Sequence, residues 1–188
     1  MTQLKNKIAI VTGAGGGFGE GIAQAYVREG ARVIVADING EATKRVASEL
    51  GAHASPFTCD VSRGDQVQAL VAHCVSTFGI PDIVVNNAGT THKNRPMLEV
   101  DEAMFDKVFA VNVKSIFHMT HAVLPLMRQN KRGVILNIGS TAGIRPRPGL
   151  SWYNASKGAV NLLSKSMAVE LGPENIRVNA VCPVMGIT

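Results

Sequence analysis

The stretch Lys7-Ile8-Ala9-Ile10-Val11-Thr12-Gly13-Ala14-Gly15-Gly16-Gly17-Phe18-Gly19-Glu20 decides the fold that we expect for this chain. The apolar run over 8–11 is typical of a buried parallel strand. Five glycines follow within seven residues, and glycine tolerates the positive φ values and close approaches of a tight turn. A helix over 17–28 would then direct its unpaired N–H groups and its positive dipole end at whatever lies over the turn. The stretch therefore predicts strand, turn and helix, with an anion such as a cofactor pyrophosphate bound at the turn.

The spacing of these glycines narrows the prediction. Counted from Gly13, the pattern Gly-x-Gly-x-x-Gly fails at its sixth position, which holds Phe18, and no phosphate loop ending in Gly-Lys-Ser/Thr can be drawn. The pattern Thr-Gly-x-x-x-Gly-x-Gly is met by Thr12, Gly13, Gly17 and Gly19. Taken alone, the turn is also compatible with a flexible connection between a core strand and a core helix.

Length and composition favour one globular domain over 1–188. The chain is 46% hydrophobic and 18% charged, and it has no apolar run near the length that spans a bilayer. Its polar N-terminus leads straight into the first strand without the features of a signal peptide. The three cysteines have no metal-ligand spacing, and their odd number favours reduced thiols. We therefore predict a cytoplasmic protein with no membrane segment and no metal.

The net charge of +5 raises the possibility of an acidic partner such as nucleic acid. The basic residues are scattered, however, with short groupings only at 131–132 and at Arg145 and Arg147, and no aromatic residues are interleaved to stack on bases. A solvated surface is the favoured interpretation. His118 and His121 lie three apart but lack acidic or sulfur partners at suitable spacing, so they do not predict a metal site.

Strand-like and helix-like patterns alternate along the whole chain. This alternation predicts an α/β protein with a doubly wound parallel sheet, a three-layer Rossmann fold, whose functional residues collect at the carboxyl ends of the strands. Strands are expected over 8–11, 31–37, 54–58, 82–86, 133–138 and 176–181. Helices are expected over 17–28, 40–50, 62–78, 101–130 and 153–171.

Asp37 ends the second strand, 18 residues beyond Gly19. This is close to the separation at which a carboxylate binds the adenosine ribose 2′-hydroxyl and repels a 2′-phosphate, so it favours NAD(H). NADP(H) stays a second possibility, since Arg32 and Lys44 are cations that could weaken the preference. Asp37 could instead cap the next helix, a role for which Asn39 is equally suited, and the two roles of Asp37 are compatible.

Polar residues also follow later strands. The strand over 82–86 runs into Asn86-Asn87-Ala88-Gly89, where amide and small side chains can hold a turn beside a ligand, although turn chemistry alone explains them as well. Asn112 interrupts the apolar pattern of 101–130, and a buried asparagine usually has a polar partner.

Tyr153 and Lys157 are four apart and share one face of the expected helix. A nearby cation favours the phenolate form of a tyrosine. Ser140 follows the neighbouring strand and can donate a hydrogen bond to a substrate oxygen. Alone this pair is common, but together with the glycine turn and Asp37 it becomes specific.

These residues resemble the short-chain dehydrogenase/reductase family, in its single-domain form, and the group that contains 3-oxoacyl-(acyl carrier protein) reductases and glucose 1-dehydrogenases. The matching positions extend over essentially all 188 residues. They comprise Thr12-Gly13, Gly17-Phe18-Gly19, Asp60-Val61, Asn86-Asn87-Ala88-Gly89, Asn112, Ser140, Tyr153-Asn154-Ala155-Ser156-Lys157 and Pro183.

The resemblance implies a role for each catalytic position. Tyr153 would be the acid or base in hydride transfer between a nicotinamide and a secondary alcohol or ketone. Lys157 would favour the phenolate and bind the nicotinamide ribose, while Ser140 would polarise the carbonyl. Asn112 would link Lys157 to a proton relay through its helix backbone and a water. The implied cofactor contacts are Gly13, Gly17, Phe18, Gly19, Asp37, Asp60, Val61, Asn87, Ala88, Gly89, Tyr153, Lys157, Pro183 and Thr188.

The resemblance also implies partners. These are a small alcohol or ketone, or an acyl-carrier-linked substrate, and further copies of the chain in a homodimer or homotetramer built through the helices 101–130 and 153–171. Two departures stand out: Val184 follows Pro183 where the family often has glycine, and family members continue beyond residue 188 into a substrate-covering segment and a seventh strand. We expect the 188 residues to be part of a longer protein, with a truncated product as the alternative.

Three classes of function therefore stay open. An active NAD(H)-linked dehydrogenase or reductase is favoured, because all four catalytic positions are filled. A catalytically silent NAD-binding regulatory protein is second. A nucleic-acid-binding protein is last.

Overall fold

A computed structural model describes residues 2–184, and within them six parallel strands form one sheet in the order β3-β2-β1-β4-β5-β6. The strands are β1 (Ile8–Thr12), β2 (Arg32–Asp37), β3 (Ala54–Thr58), β4 (Ile83–Asn86), β5 (Gly133–Ile138) and β6 (Ile176–Val181). The helices are α1 (Gly17–Arg28), α2 (Gly40–Leu50), α3 (Gly64–Thr77), α4 (Glu102–Phe109), α5 (Ser115–Gln129) and α6 (Ser151–Leu171). The predicted α/β class and the doubly wound parallel sheet are confirmed.

Alternate residues of the central strands supply a core on each face of the sheet. Ile10 and Ile34 belong to one buried cluster, together with residues of α3, α5 and α6. Val11 and Val33 belong to the other, together with residues of α1 and α2. Because β1 and β4 are buried along their whole length, they carry nearly continuous apolar sequence, as parallel strands between two helical layers require.

The strand order reverses between β1 and β4, which pair directly although two strands separate them in sequence. A crevice opens at such a reversal, outside the carboxyl ends of the strands. The glycine turn after β1 and the Asn86 to Gly89 segment after β4 therefore border one crevice. The loops after β2, β3, β5 and β6 reach the same edge of the sheet.

The predicted single helix over 101–130 is wrong in its middle. Between α4 and α5 the chain forms a π turn, Ala110–Lys114, which contains Asn112. A π turn winds an extra residue into the helix, and such turns are frequent at functional sites. The apolar pattern does not reveal it, because Ile116, Met119 and Val123 of α5 still repeat with ordinary helical spacing. Asn112 itself is only 3% exposed.

Candidate active site

The glycine turn between β1 and α1 is closely packed rather than loose. A Cβ atom added to Gly13, whose φ is +64°, would lie 2.9 Å from the Ala88 Cα atom. At Gly19 an added Cβ would overlap the Gly13 carbonyl oxygen and lie 2.6 Å from Asn87 Nδ2. Only glycine fits these positions, so the alternative of a flexible connection does not describe the turn.

The same turn leaves its outer side open. No side chain caps α1, whose first residue, Gly17, has a φ of +55°. A Cβ added to Gly16 would meet no atom within 4 Å. Unpaired N–H groups at an open helix N-terminus are suited to bind a phosphate or pyrophosphate. Phe18 lies beside this opening and lines the larger of two adjacent cavities.

Thr12 and Asn87 fasten the turn to the end of β4. The Thr12 hydroxyl accepts hydrogen bonds from the N–H groups of Asn87 and Ala88, both at 3.1 Å. Asn87 Nδ2 donates to the carbonyl oxygens of Thr12, at 2.8 Å, and Gly13, at 3.0 Å. Asn87, expected as a cofactor contact, therefore has a structural role in the turn as well as a place in the larger cavity.

The smaller cavity, of about 300 Å³, lies at the carboxyl ends of β1 to β4. Among its lining residues are six of the predicted cofactor contacts, Gly13, Asp37, Asp60, Val61, Ala88 and Gly89. The Asp60 carboxylate accepts from the Ser62 N–H at 2.9 Å and hydroxyl at 2.7 Å through one oxygen, Oδ1. We call this cavity, with the glycine turn, α1 and α2, the adenosine half of the candidate site, after the cofactor contacts that the sequence predicts there.

Asp37 is held at the entrance to this half by two backbone donors. Its Oδ2 accepts from the Gly15 N–H at 3.0 Å, and its Oδ1 accepts from the Asn39 N–H at 3.0 Å. The helix cap is Asn39, whose Oδ1 accepts from the Ala42 N–H at 3.1 Å. The alternative that Asp37 caps α2 is therefore wrong.

The cations near Asp37 are not those that the sequence suggested. Arg32 begins β2 at the opposite edge of the sheet, where its guanidinium lies 5.4 Å from the centre of the Phe78 ring. Lys44 is paired with Glu41 at 2.8 Å on the exposed side of α2. Arg45 is the cation that reaches the glycine turn, through a 3.2 Å hydrogen bond from Nη2 to the Gly15 carbonyl oxygen.

The larger cavity, of about 520 Å³, contains the predicted catalytic residues Ser140, Tyr153 and Lys157. It adjoins the smaller one, since Gly89 and Thr90 line both. Pro183 also lines it, next to Val184. We call this cavity, with β5, α5, α6 and the π turn, the catalytic half. Thr188, the remaining predicted cofactor contact, lies outside the described residues.

Lys157 is buried at the base of the catalytic half, with 6% of its surface exposed. Its Nζ donates to the Ile138 carbonyl oxygen at 2.7 Å. Burial lowers the pKa of this ammonium to about 8, partly opposed by the nearby Cys182. A Cβ added to Gly89 would lie 3.4 Å from both Lys157 Nζ and Asn112 Oδ1, so Gly89 separates these two groups.

Asn112 connects three segments through its side chain. Its Oδ1 accepts from the Thr90 N–H at 2.8 Å, and its Nδ2 donates to the Thr90 carbonyl oxygen and to Ser156 Oγ, both at 2.9 Å. The π turn is thereby fixed to the loop after β4 and to α6. The side chain makes these contacts, whereas the sequence assigned the helix backbone of Asn112 to a proton relay, which stays a prediction.

Asn161 is a residue that sequence reasoning missed. Its Nδ2 donates to the Ser140 carbonyl oxygen at 3.1 Å, and the Cys182 thiol donates to its Oδ1 at 3.2 Å. It therefore joins α6 to the segments after β5 and β6. A possible signal was spacing, since Asn161 lies one helical turn beyond Lys157 on the same face.

Ser140 Oγ accepts from the Ala142 N–H at 3.0 Å, which orients the hydroxyl.

Two further features are absent from residues 2–184, a metal-ligand group and a membrane-spanning helix. No group of three or more His, Cys, Asp or Glu side chains there is arranged to hold a metal ion. Within the same range, no helix combines the length and apolar character needed to cross a membrane.

A glycine turn at the strand reversal, with a serine, a tyrosine and a lysine in the adjoining cavity, defines a class: the oxidoreductases with a dinucleotide-binding Rossmann fold. Comparison with known proteins then gives the family. A model of the short chain dehydrogenase family matches residues 7–188, so the chain belongs to that family.

Its relatives are named for different substrates. The chain is 45% identical to 4-formylbenzenesulfonate dehydrogenase from Comamonas testosteroni, over 99% of this chain and 75% of the relative. It is 39% identical to 7alpha-hydroxysteroid dehydrogenase from Escherichia coli K12, over 96% of this chain and 71% of the relative. The crystal structure of 3-ketoacyl-(acyl-carrier-protein) reductase from Brucella melitensis, complexed with NADH, superposes with a TM-score of 0.96 at 42% identity, covering 97% of this chain and 77% of that one.

Proposed function

We propose that the chain transfers hydride between NAD(H) and a secondary alcohol or the corresponding carbonyl compound, with Tyr153 as the acid or base. The observation that carries this proposal is the shared cavity of Ser140, Tyr153 and Lys157, which adjoins a second cavity containing Asp37. A nicotinamide dinucleotide bound along both cavities would supply the hydride. The chain's own residues would bind it, orient the substrate and move one proton.

Each catalytic side chain has a separate task in this proposal. The Tyr153 hydroxyl gives a proton to the carbonyl oxygen during reduction and takes it back during oxidation. The Ser140 hydroxyl donates a hydrogen bond to the same oxygen and stabilises the charge that develops on it. Lys157, whose pKa burial lowers to about 8, holds its ammonium on the Ile138 carbonyl oxygen and supplies a positive charge at neutral pH to the cavity that Tyr153 lines.

Cofactor choice is part of the proposal. Asp37 is fixed by two backbone N–H groups in the adenosine half, and a fixed carboxylate there accepts a hydrogen bond from a ribose 2′-hydroxyl and repels a 2′-phosphate. NAD(H) is therefore the expected cofactor. Comparing kcat/KM with NADH and NADPH would overturn this if NADPH were the better cofactor.

We also propose that the chain forms a homo-oligomer through α4, α5 and α6. Large apolar side chains are exposed on two of these helices: Phe117 on α5 is 54% exposed, and Leu162 and Val169 on α6 are 69% and 81% exposed. Exposed apolar side chains that cluster on neighbouring elements are typical of interfaces. Sedimentation at micromolar concentration should give at least a dimer, and a stable monomer would contradict the proposal.

The decisive experiment combines binding with turnover. NADH binding is followed by fluorescence, and NADH oxidation is followed in the presence of a ketone panel that includes a 3-oxoacyl thioester and a 7-oxosteroid. Binding with turnover of any member supports the proposal. Binding without turnover of any carbonyl or alcohol tested favours the silent regulatory alternative. Salt-dependent binding to DNA that survives saturation with NADH would favour the nucleic-acid alternative.

A further inference from the structure

The middle residue of the glycine turn, Gly15, lies between the Asp37 carboxylate and the Arg45 guanidinium. Its N–H donates to Asp37 Oδ2 at 3.0 Å, and its carbonyl oxygen accepts from Arg45 Nη2 at 3.2 Å. There is no room for a side chain, since an added Cβ would lie 2.9 Å from Ala42 Cβ and 3.0 Å from Asp37 Cγ. One residue, Gly15, therefore links the Arg45 guanidinium to the carboxylate proposed to bind the ribose 2′-hydroxyl.

Glu20, in the first turn of α1, accepts hydrogen bonds from the same guanidinium through both carboxylate oxygens. Arg45 Nη2 donates to Glu20 Oε2 at 2.8 Å, and Arg45 Nη1 donates to Glu20 Oε1 at 3.1 Å. The hydrogen bond from Arg45 lowers the pKa of Glu20, so the carboxylate stays charged at neutral pH. A second carboxylate, Glu49, accepts from Nη1 at 3.0 Å on the side away from the turn.

Without a carboxylate partner, an arginine at this position would favour binding of NADP(H), which carries a 2′-phosphate. The guanidinium matches the geometry of phosphate oxygens and binds them through paired N–H donors. Arg45 Nη2 contacts Gly15, the residue whose N–H holds Asp37, and Glu20 is the carboxylate that accepts from this nitrogen.

We propose that Glu20 is a specificity-determining residue, which keeps the Arg45 guanidinium from binding a 2′-phosphate and so strengthens the preference for NAD(H) over NADP(H). The proposal rests on the function proposed above. In it, Asp37 acts by direct repulsion, whereas Glu20 acts through Arg45. Two carboxylates, Asp37 at the end of β2 and Glu20 in the first turn of α1, then disfavour binding of the same 2′-phosphate.

The test measures binding rather than turnover, so it does not depend on knowing the substrate. Dissociation constants for NADH and NADPH are measured by fluorescence titration for the wild type, Glu20→Gln, Glu49→Gln and the double variant Glu20→Gln/Arg45→Gln. The series is repeated with Asp37→Ser, where NADPH binds more tightly and small changes are easier to measure. Glu49→Gln is the matched control, because it removes a carboxylate from the same guanidinium but leaves Glu20 on Nη2.

Glu20→Gln is expected to tighten NADPH binding by about fivefold to tenfold, the size of one partly screened charged hydrogen bond, with little change for NADH. The double variant should lose this gain, and Glu49→Gln should not show it. An equal gain in Glu49→Gln, a gain that persists without Arg45, or no gain in either background overturns the proposal. Failure of the wild type to bind NADH would instead contradict the proposed function itself.

Discussion

The adenosine half and the catalytic half of the site are held together by different parts of the chain. In the adenosine half, backbone groups carry most of the structure: Gly13, Gly15 and Gly19 pack against other backbone atoms or short side chains, and Asp37 is held by two N–H groups. In the catalytic half, buried side chains make the connections. Asn112 and Asn161 each bridge two or more segments that are distant in sequence.

The two halves should therefore be sensitive to different kinds of substitution. A backbone-built turn tolerates no added atom at its closely packed glycines, whereas a side-chain network tolerates no lost polar group. The proposed chemistry belongs to the second half, where Tyr153, Ser140 and Lys157 line one cavity. Four predictions test this comparison.

The largest effect is expected in the catalytic half, for Tyr153→Phe. The ring is retained and only the hydroxyl is lost, so turnover of any carbonyl that the wild type reduces should fall by about 10²- to 10⁴-fold. NADH affinity should be nearly unchanged, as measured by fluorescence titration of the same preparation. Turnover within a few-fold of wild type would refute the role of Tyr153.

In the adenosine half, Gly19→Ala should lower the free energy of unfolding by about 3 kcal/mol and abolish NADH binding, because the new methyl group overlaps the Gly13 carbonyl oxygen. Gly21→Ala is the matched control in the same helix, since an added Cβ there meets nothing within 4 Å. It should be neutral or stabilising by up to about 1 kcal/mol. Equal urea midpoints for the two variants would show that the turn is not closely packed.

Lys157 should make stability depend on pH in a specific direction. Burial lowers its pKa in the folded chain to about 8, whereas in the unfolded chain it is roughly 10.4. Between these values the unfolded chain binds more protons, so the contribution of Lys157 to the free energy of unfolding rises with pH.

From pH 8 to pH 10 the free energy of unfolding of the wild type should therefore rise by about 2 kcal/mol relative to that of Lys157→Met. Urea denaturation at several pH values measures it. Lys165→Met removes an exposed lysine from the same helix and should give a curve parallel to that of the wild type. A Lys157→Met curve that also runs parallel to the wild type would contradict the assigned shift.

The smallest effect is expected for helix caps, which lie outside both cavities. Asn39→Ala removes the acceptor of the Ala42 N–H at the start of α2, and Asp101→Ala removes that of the Met104 N–H at the start of α4. Each should cost about 1 kcal/mol of unfolding free energy, with NADH affinity retained. A loss of NADH binding in Asn39→Ala alone would mean that the cap also positions Asp37.

The two halves also differ in how far sequence predicts them. Gly13, Gly17, Gly19 and Asp37 carry their information in spacing along one continuous segment, since strand, turn, helix and next strand follow one another without a break. Residue spacing therefore predicts the turn, the position of Asp37 and the parallel sheet. Local pattern did not identify Arg45 as the cation near Asp37, because that contact depends on which face of α2 meets the turn.

In the catalytic half, Tyr153, Lys157 and Ser140 are predicted by their order and by resemblance to a family. The residues that position these three side chains are harder to predict from the sequence. Asn161 contacts Ser140 and Cys182 across gaps of 21 residues each, and such pairings have no period along the chain. The π turn is missed for a related reason, since one extra residue leaves the apolar spacing on both sides intact.

That π turn, Ala110–Lys114, has a consequence for how related genes can change length. An α-helix advances by about 100° per residue, so losing one codon within 110–114 would rotate α5 relative to α4 by that angle. Ile116 and Met119 would turn out of the core while Asn112 lost its register with Thr90 and Ser156. Insertions and deletions should therefore be rejected at this point, and accepted in exposed loops such as the one that contains Lys131.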